Sequence, residues 1–83
     1  MTQLEIRAML ARVNARQLRM DAGIRQVTVA RALGVTQNCI CKWERRNRLP
    51  YSPAGLRWAA FTAGLEWHAQ ATAEIAAEMD EAA

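Results

Sequence analysis

Gln26-Val27-Thr28-Val29-Ala30-Arg31-Ala32-Leu33-Gly34-Val35-Thr36-Gln37-Asn38-Cys39-Ile40-Cys41-Lys42-Trp43-Glu44-Arg45 is the stretch on which the reading of this chain turns. It divides at Gly34 into two short helical segments. The first spans Gln26 to Leu33; the second takes Thr36 as its N-cap and runs from Gln37 to about Arg45. Helices joined by so short a turn cross closely, which requires a small residue at the crossing, and Ala30 supplies it. The turn requires a residue that tolerates positive φ, and Gly34 supplies that. The inward sides require apolar groups, and Val29, Leu33, Val35, Ile40 and Trp43 all qualify. Asn38 and Lys42, four apart, share the other face of the second segment, with Gln37 at its exposed start.

Seven filled positions at fixed spacing match the helix-turn-helix pattern. An ordinary helical hairpin shows some of these features and rarely all of them. Outward from the motif, Thr2-Gln3-Leu4-Glu5 reads as a capping box. The helix it opens is expected to continue unbroken to about Asp21, with Gly23 closing it. Arg46 to Tyr51 reads as a loop. Ser52-Pro53 pairs an N-cap with proline at the first helical position and opens a fourth helix, which Gly64 is expected to close. A fifth helix then runs from Leu65 to Ala83, with Trp67, Ala71, Ile75 and Met79 recurring every four residues as a thin apolar edge. The expectation is an all-α chain of five helices. Residues 1–65 form the motif-bearing domain, and residues 66–83 form an acidic, alanine-rich tail.

Composition agrees with that. A chain of 83 residues supports one domain, and with only four glycines and two prolines it favours helix. At this size only about 60% of the unfolded surface is buried, so the stability margin is thin. Charge is unevenly placed. All eleven Lys and Arg lie at or before Arg57, against Glu5, Asp21 and Glu44, a net of +8 for residues 1–65. From Glu66 onward five acids stand with no base, a net of −5. A basic body points to a polyanionic partner, although many basic surfaces are merely solvated.

Other classes find little support. Cys39 and Cys41 lie about 200° apart on a helix and cannot bridge within one chain. They also lack the further Cys or His ligands of a zinc site, so they read as reduced thiols of a cytoplasmic protein. No secretion signal or membrane-length apolar run is legible. His68 has no partner suggested by spacing. With no nucleophile–base pair, phosphate loop or metal cluster in view, neither an enzyme nor a cofactor is expected.

The residues Leu18-Arg19, Gly23-Ile24-Arg25-Gln26, Val29-Ala30, Leu33-Gly34-Val35-Thr36 and Ile40-Cys41-Lys42-Trp43-Glu44 carry a resemblance. Arg19 to Gly64 resembles the lambda repressor/Cro-type (XRE-like) helix-turn-helix domain. The resemblance implies a compact five-helix DNA-binding fold and a bacterial or phage transcription regulator, cytoplasmic and associated with the nucleoid. It implies that Gln37, Asn38 and Lys42 read bases in the major groove, and the chemistry agrees. Gln and Asn can pair with adenine N6 and N7, and Lys suits guanine O6 and N7. It further implies phosphate contacts from Arg25, Gln26, Arg45, Arg46 and Arg48, and a structural ion pair between Arg19 and Glu44. The plain alternative for these side chains is a solvated polar surface.

Three features depart from the pattern: the long N-terminal helix, the cysteines at 39 and 41, and the stretch from Glu44 to Gly64. The first of these lets Met1 to Val13 pack on the tail or on a partner. Trp58, Leu65, Trp67 and Ile75 are the candidate surface for a homodimer. The tail otherwise docks on its own domain. A second reading, an antitoxin or anti-repressor gripping another protein through the first or last helix, stays open.

Overall fold

In the computed structural model, which describes residues 2–82, five helices follow one another: α1 (Gln3–Arg12), α2 (Ala15–Asp21), α3 (Gln26–Leu33), α4 (Gln37–Arg46) and α5 (Pro53–Ala82). No strand occurs among the described residues. Met1 and Ala83, at the outer ends of the expected first helix and tail, lie outside them. No helix there is long and apolar enough to cross a membrane.

The capping box at the start of α1 forms in both directions. The backbone N–H and hydroxyl of Thr2 donate to the Glu5 carboxylate, and Glu5 N–H donates to the Thr2 hydroxyl. These bonds hold the Glu5 carboxyl below its ordinary pKa, the backbone donor contributing most.

The single helix expected from Thr2 to Asp21 is instead two. Val13 and Asn14 are extended, and the Asn14 side chain caps α2 by accepting from Gln17 N–H at 3.0 Å. The reason for the break lies in another part of the chain. Asn47, left-handed at φ 50°, accepts from Ala15 N–H at 2.8 Å and donates to the carbonyls of Leu10 and Val13 at 2.9 and 2.8 Å. One side chain thus satisfies three backbone groups that a continuous helix would have paired internally. The break lets α1 bury Ile6, Met9 and Leu10 while α2 buries Ala15 and Arg19.

The second departure is the opposite. Gly64, expected to close the fourth helix, sits inside α5, which runs 30 residues from Pro53 without a stop. At 1.5 Å per residue that is about 45 Å, the long axis of the molecule, 45 × 27 × 18 Å. Glycine costs a helix interior roughly 0.5–1 kcal/mol relative to alanine. Packing on both sides of it outweighs this, with Trp58, Ala59, Thr62 and Ala63 buried before it and Leu65 and Glu66 half-buried after. The boundary expected after residue 65 therefore falls within a continuous helix.

Trp58 is corrected as well. Expected on a surface shared with a second copy, it is 1% exposed and lies at the centre of the core. Its ring meets that of Trp43 at 5.8 Å between centroids, joining α5 to α4. The start of α5 is fixed by Ser52, whose hydroxyl accepts from Gly55 N–H at 3.1 Å. Gly55 has a separate task. A Cβ there would fall 2.3 Å from Pro50 Cβ, so only glycine lets the 47–52 loop lie against the helix.

Candidate nucleic-acid interface

α3 and α4 are joined by Gly34-Val35-Thr36. Gly34 adopts φ 70°, and Val35 N–H reaches back to the Ala30 carbonyl at 3.0 Å, closing α3. Nothing lies within 4 Å of a Cβ built on Gly34, so the demand for glycine here is conformational. Arg57 adds a cation at the same helix end, donating to the Leu33 carbonyl at 3.2 Å. Thr36 then caps α4 by accepting from Cys39 N–H at 3.4 Å. Ala30 and Val29 are buried, and Leu33, Val35 and Trp43 pack against the core around them.

The register of α4 sorts its residues by face. Ile40 (0% exposed) and Glu44 are buried, whereas Gln37, Asn38, Lys42, Arg45 and Arg46 are exposed. Cys39 and Cys41 are half-buried free thiols between these faces. Arg25, the N-cap residue of α3, and Arg48, in the loop after α4, are also exposed.

Behind that surface lies a buried ion pair. Arg19 Nε donates to Glu44 Oε2 at 2.5 Å and Nη2 to Oε1 at 3.2 Å, while Nη1 donates to the Ile24 carbonyl at 2.7 Å. The guanidinium therefore ties α2, the turn after it and α4 together. Glu44 does more than balance charge. Its Oε1 also accepts from Gln26 Nε2 at 2.9 Å, which turns the Gln26 carbonyl outward, and that oxygen accepts from Gln37 Nε2 at 3.3 Å. A chain of hydrogen bonds thus runs from Arg19 in the interior to Gln37 on the surface. Among the described residues, no buried side-chain nitrogen or oxygen lacks a partner.

Gln26 was expected to grip phosphate; here its amide bridges Glu44 and Gln37. One Nε2 proton and the first backbone N–H groups of α3 are left over for an outside acceptor. Of the four residues expected on a dimer surface, Trp67 and Ile75 are 65% and 57% exposed, Leu65 is half-buried and Trp58 is enclosed. His68 is exposed on α5.

Sequence reasoning missed two residues at this end of the molecule. Arg7 of α1 donates to the Tyr51 hydroxyl at 3.0 Å, and both side chains are exposed beside Lys42 and Arg46. No spacing rule links positions so far apart; the only cue was an aromatic residue in a basic loop. Comparison with family models, with curated proteins and with solved structures returned no match.

Proposed function

We propose that this chain is a sequence-specific double-stranded DNA-binding transcription regulator of the lambda repressor/Cro type, with α4 as the recognition helix. The observation that carries the reading is the hydrogen-bond chain from the Arg19–Glu44 pair through Gln26 to Gln37. An exposed amide usually samples several rotamers, and ordering it costs side-chain entropy. Here the hydrogen bond to Gln26 favours one arrangement of the Gln37 amide before any partner arrives. One Nε2 proton of Gln37 is held by Gln26, so the other proton and the carbonyl remain free for adenine N7 and N6.

Asn38 and Lys42 extend the reading along the same face, Lys42 toward guanine. Arg25, Arg45, Arg46 and Arg48 have no carboxylate partner among the described residues and would hold phosphates, which fix the register of the protein on the duplex. A chain this small reads a half-site of a few base pairs, so two copies about one helical turn apart would supply useful specificity. The setting is the cytoplasm of a bacterial or phage-infected cell.

A second reading is favoured by one observation. Trp67, Ile75 and Met79 remain exposed on the outer half of α5, and such residues suit a protein partner, as in an antitoxin or anti-repressor. Selection from a randomised duplex pool separates the two. Wild type should recover a defined motif, as an inverted repeat if it docks as a dimer, and a Gln37→Ala/Lys42→Ala double variant should lose it. Enrichment of nothing beyond salt-sensitive background by wild type would discard the DNA reading in favour of the protein-partner one.

A further inference from the structure

The Arg7–Tyr51 contact closes one side of an open groove of about 620 Å³ between α1, the C-terminal half of α4 and the 47–52 loop. Arg7, Lys42, Arg46 and Arg48 line it together with Tyr51, and no acidic side chain among the described residues does. The ion pairs among the described residues are Arg12–Glu66 and Arg19–Glu44, so none of the four cations has a carboxylate partner among those residues. Converging like charges repel one another, and an exposed arrangement of this kind is relieved by a polyanion. The Tyr51 hydroxyl accepts from Arg7, which leaves its own proton free for an outside acceptor. Arg7 likewise keeps guanidinium protons to donate.

We propose that Arg7 and Tyr51 form a phosphodiester-binding site, through which α1 extends the grip on nucleic acid beyond what α4 and its flanking loop supply. The identification rests on the reading of α4 as a DNA-facing helix, because Lys42 and Arg46 belong to that face and to this groove at once. A phosphodiester backbone fits better than a free phosphate ion. The groove is open, and four cations on three different segments suit consecutive charges along a strand. The Tyr51 hydroxyl sets the position of Arg7, and Arg7 supplies the charge.

The test is the salt dependence of duplex binding for wild type, Arg7→Ala and Tyr51→Phe, with thermal melts to establish that these exposed substitutions leave the fold intact. Each phosphate neutralised contributes about 0.9 to the slope of log K against log salt. Arg7→Ala should lower that slope by about 1 and weaken binding severalfold, with base preference unchanged. Tyr51→Phe should weaken binding without altering the slope, since no charge is removed.

An unchanged slope and affinity in Arg7→Ala, with wild type still selecting a sequence, overturns this site and leaves the recognition helix standing. Wild type that selects no sequence, yet binds mixed duplex with an Arg7-dependent slope, upholds the site while the sequence-reading role of α4 fails. Inorganic phosphate should displace duplex no better than chloride at equal ionic strength. Stronger displacement by phosphate would make the groove a free-anion pocket and overturn the backbone assignment.

Discussion

The outer face of α4 and the outer half of α5 are both exposed helical surface, but they are held in different ways. On α4, Gln37 is tied through Gln26 to a buried ion pair, and the surrounding charges are all positive. On α5 past Gly64, the charges are all negative, and the last side-chain hydrogen bond among the described residues joins Gln70 to Glu66 at 2.6 Å. Beyond it Ile75 and Met79 stand exposed with nothing packed over them. One surface is preorganised and cationic, the other unanchored and anionic. Ordered polar groups in a positive field suit directional contact with a polyanion, and an acidic rod is pushed away from the same partner. On the proposed reading, the charge asymmetry visible in the sequence becomes an orientation, with α4 toward DNA and the end of α5 away from it.

The contrast can be broken most severely at Glu44. Glu44→Ala leaves Arg19 charged and buried without its partner, at a cost of about 3–5 kcal/mol, and releases Gln26. In a domain of this length that is a large part of the whole stability. Glu74→Ala or Glu78→Ala on the anionic surface should stay within about 0.5 kcal/mol of wild type. Denaturant melts giving equal losses on both surfaces would remove the distinction.

Asn47→Ala should follow, at about 2–3 kcal/mol, because it orphans Ala15 N–H and two carbonyls at the α1–α2 junction. Asn47→Gly keeps the left-handed backbone easily accessible and so isolates the side-chain bonds. The two glycines then give opposite signs. Gly34→Ala forces a side chain to φ 70° and should destabilise by about 1–2 kcal/mol. Gly64→Ala, within a continuous helix and with nothing near its added Cβ, should stabilise by about 0.5–1 kcal/mol. A loss of stability in Gly64→Ala would mean that α5 is interrupted there after all.

The same pair of glycines shows what was legible in the sequence. At Gly34 the local signal and the packing agree, and α3, α4 and the turn lie where Gln26 to Arg45 predicts them. At Gly64 they conflict. A glycine between two helix-prone stretches reads as a stop, and the buried ridge from Trp58 to Ala63 carries the helix through it. Asn14 is the converse, a break with no glycine or proline to announce it, fixed by Asn47 of the loop after α4. Trp58 was misplaced for a related reason, since which side of a long helix turns inward depends on the helices packed against it. The Arg19–Glu44 pair was implied by resemblance. Its extension to Gln26 and Gln37 needs three helices in their final places, as does the meeting of Arg7 with Tyr51.

The most direct test is an NMR titration of the assigned backbone and side-chain amides with duplex, using the selected site or, before one is known, mixed sequence at low salt. Shifts should concentrate at Gln26, Gln37, Asn38 and Lys42, with the Gln37 side-chain NH2 moving most and residues 71–80 unmoved. Shifts confined to the outer half of α5, or none above the response to salt alone, would contradict the assignment of α4 as the face that meets DNA.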